Sequence, residues 1–145
     1  MRRAASCSCG QLSIIADGEP VKISVCHCRA CQRRTGSAFG VAVFFQANQM
    51  ETSGASNSYV RSGDSGRSID FRFCPVCGST VFWMPEFRKG LVAVALGCFA
   101  DPSSLAPTQS VYGESRLGWY RSISVRQRRV GSGASFSRRF PRAAP

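Results

Sequence analysis

Arg67-Ser68-Ile69-Asp70-Phe71-Arg72-Phe73-Cys74-Pro75-Val76-Cys77-Gly78-Ser79-Thr80 reads as a strand that runs straight into a metal knuckle. Over Arg67–Phe73 the apolar residues Ile69, Phe71 and Phe73 alternate with Ser68, Asp70 and Arg72, the period of a half-buried strand. Pro75 then restricts the turn, and Gly78 supplies a backbone shape in which amides can face sulfur. Thr80–Met84 resumes as a second strand. A CxxC pair at a strand-to-strand turn brings two thiolates toward one soft ion.

Working outward, the same pattern recurs twice. Cys7-Ser8-Cys9-Gly10 also lies at a strand edge and is followed by glycine, and Cys26-His27-Cys28-Arg29-Ala30-Cys31 places three sulfurs within six residues. Tetrahedral zinc takes four ligands, so seven thiolates divide as four plus three. Cys7, Cys9, Cys74 and Cys77 are expected to form a closed tetrathiolate that pins the fold. Cys26, Cys28 and Cys31 are expected to hold a second Zn²⁺ whose fourth ligand is water, His27, Cys98 or an incoming thiol. His27 is flanked by two ligands, and in an extended segment its side chain points away from them. It reads as a partly buried neighbour making a hydrogen bond. Cys98 stands alone and reads as a small hydrophobe.

The other apolar runs are short and separated by turn residues, which predicts an all-β fold. Gln11–Ala16 and Val21–Val25 read as a hairpin across Asp17-Gly18-Glu19-Pro20. Phe39–Gln46 reads as a longer strand, and Leu91–Leu96 as one buried on both faces. Asn48–Ser58 is polar and reads mostly as loop. Helical periodicity is weak throughout; one turn of helix fits Arg29–Thr35.

The chain of 145 residues is long enough to bury a core, and its ten Phe and two Trp argue for a folded domain rather than disorder. With no apolar run of about eighteen residues, no membrane span is expected. Met1–Ser6 does not read as a secretory signal. CxC and CxxC spacings in that setting favour metal over disulfides and a cytoplasmic, reducing location. The net charge of +11 is concentrated at one end, since Arg121–Pro145 carries seven arginines and no acid. The predicted organisation is therefore a zinc-binding β domain over residues 1–121 and an Arg/Ser-rich basic tail over 122–145, poorly ordered by expectation. Phe136 and Phe140 are the tail's aromatics. They support at most non-specific electrostatic contact with nucleic acid or another acidic partner.

Cys7-Ser8-Cys9-Gly10, then Cys26 through Phe39 (CHCRACQRRTGSAF), then Phe73-Cys74-Pro75-Val76-Cys77-Gly78-Ser79, in that order, resemble the glutathione-dependent formaldehyde-activating enzyme family, which also includes centromere protein V. Leu96–Pro102 looks like the family's G-x-x-x-D-P turn, and Tyr112–Trp119 like its terminal tryptophan strand. The resemblance covers roughly residues 6–120. It implies an all-β, Mss4-like fold with a structural zinc on Cys7, Cys9, Cys74 and Cys77 and a substrate-facing zinc on Cys26, Cys28 and Cys31. It also implies an activity, the union of formaldehyde with glutathione to S-hydroxymethylglutathione, formally a carbon–sulfur lyase run in reverse. After Trp119 the arginine-rich tail replaces the family's usual ending.

Arg29, Arg33 and Arg34 fall close to the three-sulfur cluster. Guanidinium holds carboxylates in a bidentate manner, so Arg33 and Arg34 are the expected anchors for glutathione carboxylates. The alternative expectation is a non-catalytic, zinc-stabilised binding module, for a thiol ligand or, through the tail, an acidic partner.

Overall fold

A computed structural model of the protein describes residues 1–120, and the basic tail anticipated at 122–145 lies outside them. The described chain is mainly β. In order it forms β1 (Arg2–Ser6), β2 (Ser13–Asp17), β3 (Lys22–Cys26), α1 (Arg29–Thr35), β4 (Gly40–Gln46), β5 (Met50–Ser53), β6 (Asn57–Ser62), β7 (Ser68–Phe73), β8 (Thr80–Pro85), β9 (Leu91–Ala95) and β10 (Gln109–Val111). They make two sheets, one ordered β1-β2-β5 and one ordered β10-β3-β4-β9-β8-β7-β6.

The pairing corrects three expectations. The segments flanking Asp17–Pro20 do not form a hairpin: β2 pairs with β1 and β5, while β3 pairs with β4 and β10. That turn instead passes the chain from the small sheet to the large one. The polar stretch Asn48–Ser58 contains β5 and the start of β6, because ladder partners satisfy its backbone whatever its side chains are. Tyr112–Trp119 is not a strand; the ladder ends at Val111, a short 3₁₀ turn covers Gly113–Ser115, and Trp119 is exposed.

Alternation gives the large sheet two dissimilar faces. On β4, Val43 and Phe45 point one way and meet Ile14 and Ala16 of β2, Val92 and Val94 of β9, and Val81. This is the main core, between the sheets. Ala42 and Phe44 point the other way, into a second cluster with Ile69, Phe71, Trp83 and Ala93. Direct ladder partners share a face, so Phe44, Ala93, Trp83, Phe71 and Tyr59 form one row across β4, β9, β8, β7 and β6. β9 is buried from both sides, with Val92, Ala93 and Val94 all inside. Between Arg72 and Phe73 the register shifts, and this bulge turns the chain out of β7 into the knuckle.

Candidate metal centre

Two groups of sulfurs come together, and they are the groups expected from the spacing. The Sγ atoms of Cys7, Cys9, Cys74 and Cys77 all lie within 4.8 Å of one another, as do those of Cys26, Cys28 and Cys31. All eight cysteines are free thiols.

In the first cluster, each knuckle is closed by a tight backbone turn. Gly10 N–H donates to the Cys7 carbonyl at 3.0 Å, and Gly78 N–H to the Cys74 carbonyl at 2.9 Å. Backbone amides also reach sulfur: Leu12 N–H donates to Cys7 Sγ at 3.2 Å, and Val76 N–H to Cys74 Sγ at 3.4 Å. The Ser8 and Ser79 hydroxyls meet at 2.9 Å and link the two knuckles. Four sulfurs held about 2.3 Å from one ion stand about 3.8 Å apart in a tetrahedron. Cys7 to Cys9 measures 3.6 Å and Cys9 to Cys74 measures 3.7 Å, so the site fits a tetrahedral ion. The spacing is compatible with zinc.

The second cluster sits where β3 ends and α1 begins. Cys28 caps the helix, its sulfur accepting from the Cys31 N–H at 3.3 Å. Hydrogen bonds from the Cys26 thiol, and next from the Cys31 thiol, hold Cys28 down at about 2, with Arg61 adding a smaller attraction. The same interaction with Cys28 pushes Cys26 upward. Ionising one sulfur therefore opposes ionising its neighbours, and metal binding displaces protons from them. No fourth His, Cys, Asp or Glu among the described residues joins the trio.

His27 is buried and turned away from the sulfurs. Its ring packs against Phe39 and Tyr120, with centroids 5.8 and 5.1 Å away, and its Nδ1 has no hydrogen-bond partner. Its backbone is hydrogen-bonded on both sides. His27 N–H donates to the Val111 carbonyl at 3.1 Å, and Gln32 Nε2 donates to the His27 carbonyl at 2.8 Å. Cys98 belongs to neither cluster; its thiol faces the Thr80 carbonyl at 3.7 Å, and burial pushes its pKa up.

The two arginines expected as carboxylate anchors part company. Arg34 lies three residues after Cys31, hence on the same helix face, and its guanidinium sits over Trp83 at 4.5 Å and Phe71 at 5.3 Å. Arg33 is exposed on the helix surface. Gly40 makes room for this packing: a Cβ there would stand 3.1 Å from Arg34 Nη2 and 3.5 Å from Cys31 Cβ.

Three residues near the trio were not read from the sequence. Arg61 stacks on Phe71 at 5.4 Å. Tyr112 holds a left-handed backbone, with φ of 58°, an unusual shape for a bulky residue. Burial, and then Asp64, which hydrogen-bonds its hydroxyl, push the Tyr112 pKa up; Cys26 and Cys28 contribute smaller repulsions. Only tertiary pairing brings these residues to the site. Nothing in the local sequence around 61, 64 or 112 marks them.

Among solved structures, a Rhodobacter sphaeroides protein superimposes with a TM-score of 0.56 over 74% of this chain and 98% of that one, at 18% identity. This likeness concerns the fold alone. No curated protein matches the chain. The family model described as glutathione-dependent formaldehyde-activating enzyme matches residues 2–115. With that match spanning most of the sequence and both thiol clusters, the chain belongs to the glutathione-dependent formaldehyde-activating enzyme family.

Proposed function

We propose that this protein is a zinc-dependent protein of carbon–sulfur lyase type, joining glutathione or a related thiol to formaldehyde as S-hydroxymethylglutathione. The observation that carries this reading is the three-sulfur cluster itself: Cys26, Cys28 and Cys31 converge without a fourth described ligand and stand next to guanidinium groups. The closed four-sulfur cluster has a structural role in this reading.

Cys26, Cys28 and Cys31 would hold a zinc ion with one position open for a substrate thiol, and bound there it would lower that thiol's pKa below the roughly 8.5 of a free thiol. Cys26, Cys28 and Cys31 hold the site where β3 ends and α1 begins, and Arg34, on the helix face of Cys31, offsets their negative charge. Tyr112 and Asp64 stand on the flank near Cys26 and Cys28. In the reaction the thiol sulfur bonds to the carbonyl carbon. The carbonyl π pair moves to oxygen, which takes up the proton the thiol gave away. A nucleophile already deprotonated needs no separate general base.

The active unit is proposed to span residues 1–121, in a reducing, cytoplasmic setting that keeps the thiols free. Metal content tests the site: the wild type should hold two zinc ions per chain and Cys28→Ser one. One ion in both proteins would remove the proposed active site. Glutathione and formaldehyde also combine spontaneously, so catalysis is read as faster approach to equilibrium with protein present. Glutathione binding without that acceleration would make the protein a carrier.

A further inference from the structure

The face of the large sheet that carries Phe44, Phe71 and Trp83 also carries Arg61, two residues beyond Tyr59 on β6. Arg34 reaches the same aromatics from α1, so the Phe71 ring has guanidinium carbons at 5.3 Å and 5.4 Å from its centre. The two side chains come from positions far apart in sequence and converge beside one cysteine cluster: Arg34 Nη2 and Cys31 Cβ flank the same point above Gly40, at 3.1 and 3.5 Å, and the Arg61 charge acts on Cys28.

Neither guanidinium is ion-paired with a carboxylate among the described residues, whereas Arg2, Arg3 and Arg72 all are. Arg34 Nε is buried with no hydrogen-bond partner, and the hydrogen bond described for Arg61 is the one from Nη1 to the Ser62 carbonyl. Two like charges held close repel, and burial makes the arrangement more costly. Aromatic stacking fixes the planar groups in place and leaves their edges, which carry the N–H donors, for an anion.

We infer that Arg61, together with Arg34, forms a carboxylate subsite, so that the site selects thiols bearing a carboxylate over neutral thiols. This rests on the reading of the Cys26–Cys28–Cys31 cluster as a thiol site, and it makes Arg61 rather than Arg33 the partner of Arg34. Arg61 is the specificity-determining residue: it is half-buried on a hairpin strand, outside the segment that carries the three cysteines.

The test compares 3-mercaptopropionate with its neutral isostere 3-mercaptopropionamide. Binding is followed by the sulfur-to-metal charge-transfer absorbance of cobalt-loaded protein. The wild type should bind the acid at least about tenfold more tightly than the amide, the scale of one charge-assisted hydrogen bond. Arg61→Gln should bring that ratio close to one while leaving amide affinity unchanged, and Arg33→Gln should leave the ratio at its wild-type value. An equal weakening of both thiols in Arg61→Gln, or an unchanged ratio, would overturn the subsite and leave the thiol site standing. If neither thiol perturbs the wild-type spectrum, the thiol site itself fails and the subsite with it.

Discussion

Gln32 Nε2 donates to the main-chain carbonyl of His27 at 2.8 Å, fixing the middle of the CxCxxC segment from inside the helix that follows it. The same nitrogen donates to the Ser115 carbonyl at 3.0 Å, tying in the turn after β10. Gln32→Leu should leave both carbonyls unpaired at a cost of about 1–3 kcal/mol, measured by urea unfolding. As a support behind the ligands, its loss should also weaken metal binding at the second cluster by about 10–100-fold, measured by chelator competition. Unchanged metal affinity would show that the cysteines hold their geometry without it.

The two clusters should differ in what their loss does to the fold. Cys7 and Cys74 are buried in the main core, and their cluster joins chain segments more than sixty residues apart. Metal-linked stability in such modules is on the order of 10 kcal/mol, comparable with a whole domain's stability of about 5–15 kcal/mol. Cys74→Ser should therefore fail to give a cooperatively melting protein. Cys31→Ser should lose one ion and keep its thermal transition. Similar melting behaviour in both would contradict the division of labour.

Gly54 lies against the first knuckle with φ of 91°, and a Cβ there would collide with the Gln11 carbonyl oxygen. Its neighbours are backbone atoms that cannot swing aside. Gly54→Ala should cost more than about 2 kcal/mol. Gly66 has φ of 76° but open space around it, so Gly66→Ala should cost only the conformational penalty, about 1–2 kcal/mol. Equal melting temperatures for the two variants would refute the collision.

Asp70 sits between Arg72 and Ser58. Burial alone would raise its pKa; the hydrogen bonds from Arg72 and Ser58 outweigh it and hold the carboxyl below its usual range. A depressed folded pKa contributes stability that is complete above the unfolded value, about 3.9, and is lost only as pH falls through the folded one. Asp70→Asn should thus be less stable than the wild type by a small, constant amount from pH 8 to pH 5. A gap that narrowed across this range, in urea titrations at several pH values, would place the pKa elsewhere.

What could be read beforehand follows from how local the cause is. The two knuckles, the Cys26–Cys31 trio and the helix Arg29–Thr35 follow from short-range spacing and turn chemistry, and the joining of the knuckles into one four-sulfur cluster follows from counting ligands; all appear as expected. The apparent hairpin at Asp17–Pro20 shows the opposite case. A Gly-Pro turn signals a change of direction but not which strand the chain will pair with. The partner of β2 proved to be β1, whose Arg2 and Arg3 hide its strand character. β5 is hidden in the same way, because Met50-Glu51-Thr52-Ser53 has no alternation to read. Arg61 is close to Cys28 only because β6, β7 and β8 pair in one register, a long-range fact that no local pattern encodes.

The parallel ladder of β10 with β3, where Val111 lies opposite Cys26, bears on the order of assembly during synthesis. Every cysteine has been made by Cys98, yet the strand that flanks Cys26 and the turn that accepts from Gln32 come later in the chain. Domains begin to organise while the ribosome is still adding residues. The four-sulfur knuckle pair is thus available to a nascent chain before the three-sulfur site has its outer wall. The three-sulfur cluster's environment is finished last, by the closing of a sheet edge.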